Sequence, residues 1–226
     1  MGPADFYTIF QIEGRATGAA YTMRQEDKAR GVTPHWMLYV AVESADETAS
    51  RAAQLGAKVI VDPMDVNEVG RMAVVEDPTG AVLALWQAKS HKGTGIAGVP
   101  GTLCWADLMA PDARRATEFY AALFGWKFEA AQDGSGYLHI QNHTEYIGGV
   151  PPAEHRNPNA PPHWLPYFSA VDCDHSAGVA EDLGATLCGK PMTLEGVGRW
   201  AVAEDPQGAV FALFQAVPRS EGQHGS

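Results

Sequence analysis

Two histidines, His35 and His163, stand in the same tripeptide, Pro-His-Trp. An imidazole that recurs this way has the chemistry of a metal ligand or of a general base working near neutral pH. Other candidates are the stretch "DCDH", Asp172 to His175, and the repeated "EDP" of Glu76-Asp77 and Glu204-Asp205, where paired carboxylates could exchange a proton. Each also has a plainer reading. An Asp-rich stretch before an apolar run suits a helix N-terminus, where carboxylates accept backbone N–H groups and meet the positive end of the dipole. An Asp before Pro suits a turn. His139 and His143 lie four residues apart in what reads as strand and loop, roughly 13 Å along an extended chain and too far to chelate together.

These residues are positioned by a duplication. "GRMAVVEDPTGAVLALWQA", Gly70 to Ala88, returns as "GRWAVAEDPQGAVFALFQA", Gly198 to Ala216, and the match extends back without a gap to the two Pro-His-Trp tripeptides, with about half of the positions identical. Upstream the likeness weakens, yet Tyr7, Gln11 and Gly18 still meet Tyr137, Gln141 and Gly148. A period this long means tandem domains rather than a solenoid. The expected boundaries are a first copy at 1–88, a Gly-rich linker at 89–101, a second copy at 102–217 and a disordered tail at 218–226.

The second copy reads as two βαβββ units. "TLCWADLMA" predicts a strand and "PDARRATEFYAALFGW" a helix with Ala116, Phe119, Tyr120 and Leu123 on one face. "YLHIQNH" and "TEYIGGV" predict further strands. A second strand-helix set follows, "WLPYFSAV" and "DCDHSAGVAEDLGA", and "RWAVAEDPQGAVFALFQ" closes it as a hairpin whose turn has Pro and Gly where a type I turn favours them. The counterpart of the opening strand and helix would precede Met1, so the first copy reads as truncated. Either the start is misplaced or the gene is a fragment, or another subunit supplies those elements, which would make the protein a homodimer.

"WADLMAPDARRATEFYAALFGW" followed by "GRWAVAEDPQGAVFALFQ" resembles the glyoxalase/bleomycin-resistance/extradiol-dioxygenase family, the vicinal oxygen chelate superfamily, and within it the tandem-domain bacterial members described as glyoxalase-like proteins or hydroxylases. Phe119-Tyr120, Phe124-Gly125-Trp126 and the Asp-Pro-x-Gly turns at Asp77 and Asp205 carry the resemblance. It implies an α+β fold of tandem domains, each a pair of βαβββ units whose strands curl into a cup. It also implies a divalent metal held by His, Glu or Gln near the start of each unit's first strand and in its last strand. The last-strand positions here are Ala84 and Ala212, and the first-strand positions fall near Met37 or Leu38, Leu165 or Pro166, and Pro100 to Thr102. None of these supplies imidazole or carboxylate, so no metal and no other cofactor is expected.

What is left to line the cup is aromatic. With Ala212 facing in, Val210 and Phe214 face in beside it, and Phe211 and Leu213 face the helices. The expected ligand-binding residues are Trp164, Trp200, Tyr167, Phe214, Arg199 and Trp36, with His163 and Glu204 as the candidates for a catalytic base. Two functions follow: metal-independent binding of a small hydrophobic or aromatic molecule, of the sequestration or resistance type, or a metal-independent lyase, isomerase or hydroxylase-like enzyme. A third class, a structural protein, would have a cup filled by its own side chains.

Composition excludes more than it identifies. The 226 residues carry a formal net charge of −11 and no basic cluster, which argues against nucleic acid or an anionic membrane as partner. Cys104, Cys173 and Cys188 form no C-x-x-C pair, none has a counterpart in the other copy, and no nucleophile elbow or phosphate loop is present. With no signal sequence or apolar run long enough to span a bilayer, a cytoplasmic protein is expected, its partner a small molecule.

Overall fold

The computed structural model describes residues 7–217. Along the chain these form β1 (Tyr7–Ile12), β2 (Arg15–Tyr21), α1 (Gln25–Ala29), β3 (Tyr39–Ala41), α2 (Ala45–Gln54), β4 (Lys58–Val66), β5 (Gly70–Glu76) and β6 (Val82–Ala88). There follow β7 (Leu103–Met109), α3 (Ala113–Phe124), β8 (Lys127–Ala130), β9 (Leu138–Asn142), β10 (Glu145–Val150) and β11 (His163–Ser169). The last elements are α4 (Cys173–Asp182), β12 (Thr186–Leu187), β13 (Met192–Leu194), β14 (Gly198–Glu204) and β15 (Val210–Ala216). Residues 89–101 carry neither helix nor strand, and the expected tail at 218–226 lies outside the described residues.

Local chemistry explains the boundaries. Ser44, Asp112 and Asp172 cap α2, α3 and α4, each side chain accepting the backbone N–H three residues on. "DCDH" is thus a helix start. Gly125 ends α3 in the left-handed conformation, φ 72°. Both "EDP" segments are turns: Asp77 Oδ1 accepts from the N–H of Thr79 and Ala81, and Asp205 Oδ1 from those of Gln207 and Ala209.

Three βαβββ sets share one strand order, first-last-third-second, with the first and last strands parallel: β3-β6-β5-β4, β7-β10-β9-β8 and β11-β15-β14-β12, with β13 also on β14. The α+β architecture agrees with the sequence expectation. The described residues cluster into two compact units, one of 7–22, Trp36–Ala97 and Trp105–Pro166, the other of Met23–His35, Gly98–Cys104 and 167–217.

The first unit's core draws on both copies of the repeat. Ala49 and Ala52 of α2, Val75 of β5, and Leu83 and Leu85 of β6 pack with Leu108 of β7 and with Ala116, Phe119 and Tyr120 of α3. Tyr120 is fully buried at its centre, its ring against Trp126 and Trp164, accepting from Trp164 Nε1 (3.2 Å) and donating to Asp77 Oδ2 (2.8 Å). Burial, with Asp77 beside it, holds its phenol well above the usual range. Arg51 of α2 donates twice to the Ala122 carbonyl on α3. In the second unit Cys173 and Ala177 of α4 pack on Ala201, with Leu187 and Leu213 around them.

Candidate functional site: two aromatic sheet faces

Register tests the family's metal directly. In β3 and β6 Tyr39 lies opposite Ala84, whose other neighbour is Val74 of β5. In β11 and β15 Tyr167 lies opposite Ala212, flanked by Val202 of β14. A methyl group stands at both of these last-strand positions, and the residues paired with them, Tyr39, Val74, Tyr167 and Val202, bear no imidazole or carboxylate. Among the described residues no group of three or more His, Cys, Asp or Glu is placed to hold an ion. These residues do not fit a divalent metal. Tyr39 is half exposed (51%), and the partial burial of its phenol, with Tyr21 and Tyr7 nearby, pushes it up to about 12.

The second unit gathers part of the expected site. Strand pairing puts Tyr167, Ala212, Phe214, Trp200 and Val202 on one face, because residues opposite one another project to the same side. Tyr167 and Phe214 meet edge to face, ring centroids 6.5 Å apart. A Cβ at Gly198 would collide with the Phe214 ring, so that glycine lets the ring lie across β14. In the first copy Gly70 does the same for Trp86. Glu204, opposite Val210, lies on the Trp200 side at the exposed end of β14. Met192, opposite Trp200, extends this face and is half exposed.

Arg199 takes the other face, next to α4. Its Nε and Nη2 hold Asp174 at 2.8 and 2.7 Å, and its Nη1 donates to Thr193 Oγ1. Arg71 and Asp46 form the same fork at 2.6 and 2.8 Å, which accounts for the one Asp that the two helix starts share. These guanidinium hydrogen bonds hold both carboxyls below the usual carboxylate range. A lowered folded pKa gives a contribution that is present above the unfolded value and lost as pH falls through the folded one. In urea titrations from pH 7 to pH 2, the stability gap between the protein and Asp174→Asn should be present at neutral pH and close below about pH 4.

The remaining expected residues lie elsewhere. Trp164 is in the first unit's core, its N–H committed to Tyr120. Trp36 is half-buried just before β3. His35 and His163 each place Nδ1 against the carbonyl two residues back, Thr33 and Pro161, at 2.7 and 2.8 Å. The same local bond is made in both copies. His143 occupies the β9–β10 turn at φ 54°.

The first unit carries a second face that the sequence reading did not assign. Trp105 and Asp107 alternate out of β7, away from the buried Ala106 and Leu108. Asp107 is 5% exposed, and its Oδ1 accepts from Tyr137 Oη (2.6 Å) and Trp105 Nε1 (3.0 Å). His139 of β9 lies among the rings of Trp105, Tyr137 and Tyr146, centroids 6.1, 5.2 and 5.4 Å away. Tyr146 Oη donates to Glu129 at 2.6 Å. Period-two alternation in "CWAD" and "YLHIQ" was the available signal. A cavity of about 200 Å³, lined by Leu55, Pro78, Arg115, Glu118 and Phe119, lies against the helices, on neither face, and is smaller than the roughly 300 Å³ of small-molecule pockets.

A βαβββ repeat whose first and last strands pair in parallel, with helices on one face of the sheet, defines the glyoxalase-like class. A family model for the glyoxalase-like domain matches residues 104–214. The glyoxylase-like protein CFP32 of Mycobacterium tuberculosis is 32% identical over 220 residues, 96% of this chain and 83% of that one. The anthracycline biosynthesis protein DauV of Streptomyces sp. strain C5 is 32% identical over 224 residues, 92% of this chain and 79% of that one. Among solved structures, the Mn(II)-bound glyoxalase from Novosphingobium aromaticivorans superposes with a TM-score of 0.55 at 19% identity, over 78% of this chain and 61% of its own length, a likeness of fold alone. The chain belongs to the glyoxalase-like family of the vicinal oxygen chelate superfamily. No helix among the described residues is long and apolar enough to cross a membrane.

Proposed function

We propose that the protein binds a small, flat hydrophobic or aromatic molecule without metal, on the second unit's face built from Tyr167, Trp200 and Phe214. The observation that carries this reading is the Phe214 ring laid across Gly198 beside Trp200, with Ala212 where a ligand carboxylate would stand in a metal enzyme. Aromatic rings on an alanine floor favour stacking with a planar guest. The name of DauV points to planar polycyclic compounds, and an anthracycline is therefore the first probe.

Calorimetric titration should give binding that a chelator leaves unchanged, and Trp200→Ala should weaken it about tenfold, the loss of roughly 1.4 kcal/mol of contact. Unchanged affinity in Trp200→Ala, or loss of binding on chelation, would refute the reading. The enzyme alternative, a metal-independent lyase, isomerase or hydroxylase-like activity, is favoured by Glu204, a carboxylate on the same side of β14 as Trp200. Under that reading Glu204→Gln abolishes turnover while the affinity stays.

A further inference from the structure

One row of side chains crosses the first unit's sheet at a single level. Glu129 of β8 stands opposite His139 of β9, His139 opposite Gly149 of β10, and Gly149 opposite Asp107 of β7. Partners across strands share a face, so two carboxylates and an imidazole project together from three strands. The missing side chain at Gly149 leaves a notch that Tyr137 fills, for a Cβ there would overlap its hydroxyl. The row reads carboxylate, imidazole, phenol, carboxylate.

Its hydrogen-bond inventory is one-sided. Trp105 Nε1 donates to Tyr137 Oη and Asp107, Tyr137 Oη to Asp107, and Tyr146 Oη to Glu129, so the donors of all three rings are committed. Among the described residues no hydrogen bond holds either ring nitrogen of His139. Asp133 is a third carboxylate within electrostatic reach of that ring. The face therefore offers acceptors, aromatic surfaces and negative charge. An anion would be repelled, and a purely apolar guest would desolvate His139 and Glu129 with nothing in return. Among the described residues a metal ion finds no set of three ligands. A cation that carries its own N–H donors on an apolar stem meets all three features.

We propose that this row is a binding site for the protonated amine of a small organic molecule, its N–H groups donated to His139 and Glu129 and its carbon stem against Trp105, Tyr137 and Tyr146. Its residues belong to the first unit and those of the Trp200 face to the second, and its test does not depend on that reading.

The test is calorimetric titration of the full chain with benzylammonium and with benzyl alcohol, which keeps the ring and the donor but not the charge. Benzylammonium should bind at least about tenfold more tightly, the scale of a partly desolvated cation–π contact. Its affinity should fall with added salt. Glu129→Gln and His139→Leu should each weaken benzylammonium several-fold and leave benzyl alcohol unchanged. Glu129 is exposed, so its variant decides the matter even if His139→Leu folds poorly. Equal affinity for the alcohol, or benzylammonium binding that Glu129→Gln leaves intact while Trp200→Ala removes it, would overturn the assignment.

Discussion

Replacing Asp77 with alanine should lower the midpoint of thermal unfolding by on the order of 10 °C, whereas Asp205→Ala, at the equivalent turn of the other copy, should lower it by only a few degrees. Each kcal/mol shifts a chain of this size by about 2–4 °C. Both aspartates accept two backbone N–H groups of their turns, worth about 1 kcal/mol as a cap is. Asp77, 3% exposed, also accepts from the hydroxyl of Tyr120 in the core and from Thr79 Oγ1. Without its carboxylate the Tyr120 proton has no acceptor there, a penalty of about 1–3 kcal/mol. Tyr120→Phe should recover part of the Asp77→Ala loss in the double variant, because it removes the stranded donor. Calorimetric scans of the two single variants and the double would check this, and equal losses for Asp77→Ala and Asp205→Ala would show that the buried bond contributes nothing.

Two glycine-to-alanine changes should move stability in opposite directions. At Gly148 a Cβ would fall inside the carbonyl oxygen of Ala106, its neighbour across the parallel β7–β10 ladder. Backbone cannot yield there without breaking the pairing that places Asp107 and His139 in one row, so Gly148→Ala should cost about 3 kcal/mol or more. At Gly178, inside α4, an added Cβ meets nothing within 4 Å, and alanine should stabilise by about 0.5–1 kcal/mol through helix propensity and a less free unfolded chain. Urea unfolding of the two variants reads both signs in one experiment, and a neutral Gly148→Ala would mean that the strands slide with little resistance.

Much of this was legible in the sequence because local chemistry and long-range structure agree. The "DPQG" turn, the capping Asp172 and the period-two run of Val210, Ala212 and Phe214 each predicted what pairing then produced, including Leu213 against α4. Arg199 and Trp200 are adjacent in a strand and cannot share a face in any register, so grouping both in one cup went against the alternation the sequence itself shows. Trp164 reads like any strand aromatic. Alternation along β11 puts it on the face opposite Tyr167, but its bond to Tyr120 of α3 cannot be read from the strand alone. The row of Glu129, His139 and Asp107 was hidden for the same reason, since each residue comes from a different strand and only cross-strand partners align them.

The core shared by α2 and α3 bears on how such a chain can change over generations. Duplication ordinarily frees one copy to vary while the other keeps its job. Here Leu83 and Val75 descend from one copy and Phe119 and Leu108 from the other, yet they fill a single volume. A larger side chain accepted in one half must be answered by a smaller one in the other. The two halves are therefore bound to drift together, and a crossover between them that swapped in a distant relative's half would inherit a mismatched interior.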